Sequence, residues 1–233
     1  MPSKALADFR GALALAEALY GFESGLPDPP DPSVAGQVEL VRGTRGGAVV
    51  LMVGAFERFV REAVEEHLRP LGAMPPPKGF DRLPPKMQVR SVFKSLEHAM
   101  RGPRYGSGKG KVARLADIKR AASVIANGLV NAEALSLTDG NIGAEGLGGV
   151  LKNLGITDPF SALRTEFDTL WAKPEAQQFI HDKLDQIVNS RHNVAHAVNV
   201  LNISRADVGE GIRFLSALAQ AIDGLLETYI QSL

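Results

Sequence analysis

Apolar residues recur along this chain at intervals of three and four, the period of a helix that buries one face, and nowhere alternate for the length of a strand. The fold this predicts is all-α, a helical bundle with additional short helices and Pro/Gly-rich connecting loops. Leu6, Phe9, Leu13, Ala16 and Tyr20 mark a first helix that ends near Gly21. Leu26 to Pro32 follows as a linker, its prolines removing donors and holding extended backbone. Val49, Met52, Val53, Phe56, Val60 and Val64 form the stripe of a long helix from about Val34 to Leu68. Pro70 to Pro85 is too rich in proline for regular structure and is expected to connect. Helix resumes at Lys86, carries Val89, Val92, Phe93 and Leu96, and fails at Gly102-Pro103. A further helix is expected from about Val112 to Ala134, before a turn signal at Thr138-Asp139-Gly140-Asn141. Short helices are expected at Ala144 to Asn153 and at Pro159 to Ala172, the second capped by Asp158 and burying Phe160, Leu163, Phe167 and Leu170. Ile180, Leu184, Ile187, Val194 and Val198 then define a helix from Pro174 to about Leu201. Ser204 and Asp207 make a capping-box variant for the last helix, which runs to about Ile230 with Val208, Ile212, Leu215, Leu218, Ile222 and Leu225 inward. One domain over 1–233 is expected: an N-terminal helix and Pro-rich linker over 1–32, then a core bundle over 33–233.

Two charged residues break these rows. Arg191 falls on the apolar row of its helix, between Ile187 and Val194, where a guanidinium needs a carboxylate, a set of carbonyls or an anionic ligand such as phosphate. Glu57 falls at the edge of the long helix's buried face, four after Val53 and three before Val60, where it either reaches water or meets a cation such as Arg191. His192 and His196 share a helix face with each other. Arg191 and His196 are five apart, about 140° around the axis at about 100° per residue. One straight helix cannot aim both at one atom, so either the helix is deformed or another element, such as the same segment of a second chain, completes the site.

The sequence has 233 residues, no cysteine, and 26 Lys and Arg against 26 Asp and Glu. Zero net charge supplies no global field for nucleic acid or an anionic membrane, so any such partner must meet a local patch. One exists between Arg101 and Arg120, where Arg101, Arg104, Lys109, Lys111, Arg114, Lys119 and Arg120 face Asp117 alone. Its Gly-rich centre is not a phosphate-binding Walker loop, because Pro103 stands at the leading glycine and Gly110 where Ser or Thr would hold magnesium. It is either a solvated loop or a strap that contacts RNA phosphates, with Tyr105 available for stacking. The absence of cysteine excludes disulfides, thiolate ligands and a cysteine nucleophile, and fits a cytoplasmic location. The apolar run from Gly11 to Tyr20 carries Glu17 and lacks a basic leader, so it is read as helix and not as a signal peptide; no run is long enough for a membrane span.

The run Leu184 to His196, followed by a capped terminal helix, resembles the HEPN superfamily, and more narrowly its RiboL-PSP-associated branch. Ala55-Phe56-Glu57, Gly140-Asn141 before a short helix, and Leu154-Gly155-Ile156 with Pro159-Phe160 extend the likeness from about Arg45 onward. The resemblance implies a dimerising all-α bundle, metal-independent ribonuclease activity, and toxin-antitoxin or phage-defence settings with a partner protein. It assigns catalysis to Arg191 and His196, with His192 and Asn193 in support, and implies no metal or cofactor. One sub-branch has a modified Tyr two residues after the His; Val198 stands there in this chain.

The chemistry suits these residue types. An RNA 2′-hydroxyl can attack the adjacent phosphorus if a group near its own titration point moves the proton and a cation neutralises the phosphorane; His and Arg supply the two. Two other readings use the same residues. His192-Asn-Val-Ala-His196 has zinc-ligand spacing, but Asn193 stands where H-E-x-x-H places its general-base Glu, and His181 is three turns away. Alternatively the domain binds nucleotide, RNA or a partner chain without cutting, and Arg191 is a structural ion.

Overall fold

The computed structural model describes residues 2–75, 78–101, 111–136, 142–173, 175–197 and 203–233. Among the described residues there are ten α-helices and no strand. The order is α1 (Lys4–Ser24), α2 (Gln37–Gly72), α3 (Lys78–Asp81), α4 (Pro85–Arg101), α5 (Lys111–Ala126), α6 (Ala132–Ser136), α7 (Ala144–Asn153), α8 (Pro159–Trp171), α9 (Phe179–Ala197) and α10 (Arg205–Gln231).

Helix α2 is the axis of the bundle. At about 1.5 Å per residue its 36 residues run for about 54 Å, and α1, α6, α9 and α10 all pack on it. Its stripe of Val49, Met52, Val53, Phe56, Val60 and Val64 is fully buried, as its spacing predicts. Phe9, Phe56 and Phe59 join α1 to α2, with ring centroids 5.3 to 6.3 Å apart. A second aromatic group, Phe167, Trp171, Phe179 and Phe214, ties α8 to the start of α9 and to α10. Such burial is the main favourable term in the fold.

Most helix ends follow from local chemistry. Ser3 caps α1 through Leu6 N, and Glu66 of α2 accepts from the next free amides, Lys4 N at 2.9 Å and Ala5 N at 2.8 Å. Asp158 caps α8, with Pro159 in the first turn. Ser204 and Asp207 close the capping box of α10.

Several elements differ from the sequence expectation. Helix α1 runs one turn past Gly21, because Glu23 is drawn into a buried ion cluster. Helix α2 continues through Pro70 to Gly72, and α3 forms within the stretch expected to be irregular; burial of Leu68 and Leu71 outweighs one lost hydrogen bond near a helix end. The helix expected over 112–134 is two. Gly128 at φ 64° lets Leu129 N reach Val124 O at 2.9 Å, a Schellman closure, and Asn131 then starts α6 by accepting from Ala134 N. In α4 two of the expected apolar positions face outward: Val89 and Phe93 are exposed, while Ser91, Lys94 and Ser95 are buried beside Met87 and Ala99. Asn131 donates to Ser95 Oγ at 3.0 Å, so this inner face closes by hydrogen bonding. In α8, Phe160 and Leu170 are only partly buried, while Pro159 and Trp171 join Leu163 and Phe167 in the core.

Candidate functional site

The seam between α2 and α9 carries the residues that broke the apolar rows. Ile180, Leu184 and Ile187 anchor α9 in the core, and Lys183 pairs with Glu210 of α10. Asp185, on the face towards α7, accepts from Ala144 N at 2.7 Å and so holds that helix's first turn. Six residues later Arg191 Nη1 lies 3.9 Å from Glu57 Oε1 of α2. The same Glu57 oxygen accepts from Ile142 N at 3.3 Å. Residues 142–144 are thereby stitched to both sides of the seam, to Glu57 on α2 and to Asp185 on α9.

The structure thus brings Arg191 and Glu57 together across the seam. The Arg191 side chain keeps 29% of its surface exposed and that of Glu57 16%, so the pair lies at the edge of the core, within reach of solvent. His192 and Asn193 are exposed. Helix α9 continues without a π or 3₁₀ interruption to Ala197. Positions 191 and 196 therefore remain five apart on a regular helix, about 140° around its axis, and local deformation is not what joins them. The side chain of His196 and position 198 lie outside what is described. So do residues 102–110, with Arg104 and Lys109; Arg101 and Lys111 are placed only as the last residue of α4 and the first of α5. Gly140 and Asn141 also lie outside.

Beyond Arg191 the seam opens into a groove of about 660 Å³, its apolar lining Gly43, Gly46, Gly47, Val50, Leu51 and Val194 and its charged lining Glu39 and Arg42. Val50 and Leu51 are each 39% exposed, an apolar margin one helical turn from Arg191 through Val194. His181 is far from here. Its ring lies 5.6 Å from that of Phe160, in a cleft with Asp158, Arg164 and Asp182.

One cluster was missed by sequence reasoning. Arg45 is buried and donates to Glu23 Oε1 from both Nε and Nη2, to Asp28 Oδ1 at 2.8 Å, and to Ile203 O at 3.1 Å. Arg205 donates to Glu23 Oε2 and to Leu26 O. The hydrogen bond and charge of Arg45 hold the Asp28 carboxyl below its usual range against the opposing effect of burial, with Arg205 adding to them. The signal was available: Arg45 sits four before Val49 on a buried row, the same violation that singled out Arg191. The cluster joins the end of α1, the Pro-rich strap, α2 and Ile203, and so fixes where the chain re-enters the bundle after the site helix.

A protein-family model described as RiboL-PSP-HEPN matches residues 38–228. No curated protein and no solved structure matches the chain. No described helix is long and apolar enough to cross a membrane.

Proposed function

Since the chain belongs to the RiboL-PSP-HEPN family, we propose that it is an endoribonuclease whose chemistry is carried by Arg191 and His196. Membership supports an RNA-cutting or nucleotide-binding module. The observation that favours cutting is Arg191 itself, set on a buried row yet partly exposed beside Glu57, on a helix that also carries His196. In the proposed reaction a base takes the 2′-hydroxyl proton as the O2′–P bond forms. The P–O5′ bond breaks, an acid protonates the departing 5′ oxygen, and the products are a 2′,3′-cyclic phosphate and a 5′-hydroxyl. His196 moves a proton, since an ordinary imidazole titrates near about 6.5 and holds both forms near neutrality. Arg191 neutralises the phosphorane; its planar fork stays charged and cannot act as base. Glu57 holds the guanidinium, and His192 and Asn193 line the approach. No metal or cofactor takes part. The chain from Arg101 to Lys111, with Arg104 and Lys109, contributes phosphate contacts that position RNA without selecting sequence.

The 140° separation is resolved by a homodimer in which each α9 completes the other's site. The apolar groove beside Val194 supports this, because a two-fold pairing buries the same patch twice. The setting we propose is cytoplasmic, as a toxin or defence effector restrained by a partner protein. A second reading is favoured by the Glu57 contact: Arg191 as a structural ion in a non-catalytic module that binds RNA or a partner. Cleavage of a labelled RNA in excess chelator separates the two. Cyclic phosphate ends are expected from the native protein. His196→Ala should lose roughly two to four powers of ten in rate with RNA binding nearly unchanged, and Arg191→Lys should also fail. Cleavage that stops in chelator, or full activity in His196→Ala, would overturn the proposal.

A further inference from the structure

Helix α4 buries Met87 and Ala99 but turns a second apolar row to solvent. Val89 is 69% exposed, Phe93 55% and Met100 61%, with Leu96 partly buried between them. These four positions are spaced four, three and four apart, the seam that one helix offers another in a coiled coil. At its amino-terminal end the seam runs into a groove of about 530 Å³ between α4 and the turn after α7, where Val89, Gly155 and Ile156 supply apolar lining. The ionisable side chains of that groove are Lys86, Arg90 and Lys152, all cations.

We propose that α4 and this groove dock an acidic amphipathic helix of a partner protein, its apolar a and d positions on the α4 seam and its flanking carboxylates on Lys86, Arg90 and Lys152. Charge and shape separate this occupant from two others. A second copy of this chain fits less well: a parallel pairing sets Lys86 beside Lys86 and Arg90 beside Arg90, a like-charge contact that opposes association, and an antiparallel one offers Lys86 and Arg90 only Glu97, which already pairs with Lys94 at 2.9 Å. RNA would satisfy the cations but lay sugar and phosphate on an aliphatic row, which offers Phe93 alone as a stacking face. A helix with a carboxylate rim satisfies both features at once.

None of these residues lies on the seam between α2 and α9, so the proposal does not depend on the ribonuclease reading. The test uses the full chain and labelled helical peptides of about three heptads with Leu at a and d, one with Glu and one with Lys at e and g. Fluorescence anisotropy should show the Glu peptide bound and the Lys peptide at least roughly tenfold weaker. Phe93→Asp should weaken the Glu peptide by a similar factor. The pair Lys86→Glu with Arg90→Glu, both exposed and safe for folding, should reverse the preference even if Phe93→Asp proves unstable. RNA cleavage by the charge-reversed protein should match its parent; absent cleavage in both would count against the ribonuclease reading and leave the peptide result standing. Equal affinity for the two peptides, or no effect of Phe93→Asp in a folded protein, would overturn the proposal. So would a dimer that Phe93→Asp dissociates, which assigns the face to a second copy, or a loss of RNA binding larger than the loss of peptide binding, which assigns it to RNA.

Discussion

Arg191 and Arg45 both interrupt buried rows, and their surroundings give them different work. Arg45 has a side chain only 9% exposed and is clasped by Glu23, Asp28 and a carbonyl, so its charge is spent inside the fold. Arg191 is 29% exposed and lies 3.9 Å from Glu57, so its charge reaches the surface of the fold. Glu57→Gln keeps an acceptor for Ile142 N but removes the charge that steers the guanidinium. We expect RNA cleavage to fall by up to about 10²-fold, the cost of a small misplacement, while RNA affinity holds or rises; unchanged kcat, measured beside affinity, would remove Glu57 from the site. Asp223 tests residue-scale electrostatics elsewhere. Burial pushes its carboxyl up, but hydrogen bonds from His67 and Ser3 outweigh that and leave it below the usual range. A depressed folded value means its contribution is in place above the ordinary carboxylate range and is lost as pH falls through the folded value. Glu166, raised first by burial and then by the Asp223 charge, acts in the opposite sense: its contribution is present at low pH and lost as pH rises. Asp223→Asn should cost about 1–3 kcal/mol at neutral pH and flatten the acid limb of the stability profile in urea titrations. An equally steep limb in the variant would contradict this.

At the scale of elements, the helices that bury one continuous stripe were legible, and those that obey a less common rule were not. The spacing of α2 and the caps of α8 and α10 are local signals, and they appear where expected. The end of α5 was hidden because helical periodicity continues across Asn127-Gly128, and only the positive φ of Gly128 cuts it. The outward face of α4 was hidden because a hydrophobic row reports a contact surface, not whether its partner lies in the same chain. In the site, Arg191 and Glu57 were legible as violations of a row, whereas the route from Ile142 to Glu57 and from Ala144 to Asp185 depends on backbone amides that no side-chain pattern encodes. The ion cluster that extends α1 should matter to the whole strap. Glu23→Gln leaves Arg45 short of its counter-charge and should destabilise the fold by about 3–5 kcal/mol, the usual cost of breaking a buried pair. A change within about 0.5 kcal/mol in chemical denaturation, the range of ordinary surface substitutions, would show that the cluster is dispensable.

The whole molecule combines zero net charge with strong local segregation. Lys86 and Arg90 of α4 and Lys152 of α7 line one groove, on other elements than the seam of α2 and α9, so the surface proposed for an acidic partner is separate from the residues proposed to do chemistry. The regular course of α9 leaves positions 191 and 196 on different sides of one helix, and this geometry makes the second subunit part of the proposed site. The most direct measurement is RNA cleavage by co-expressed Arg191→Lys and His196→Ala chains, purified as a mixed dimer through different tags. A site built from Arg191 of one chain and His196 of the other leaves one of two sites intact, so the mixed dimer should regain about half of the native rate for a two-fold assembly while each variant alone stays inactive. A mixed dimer as inactive as its parents would contradict a site shared between subunits.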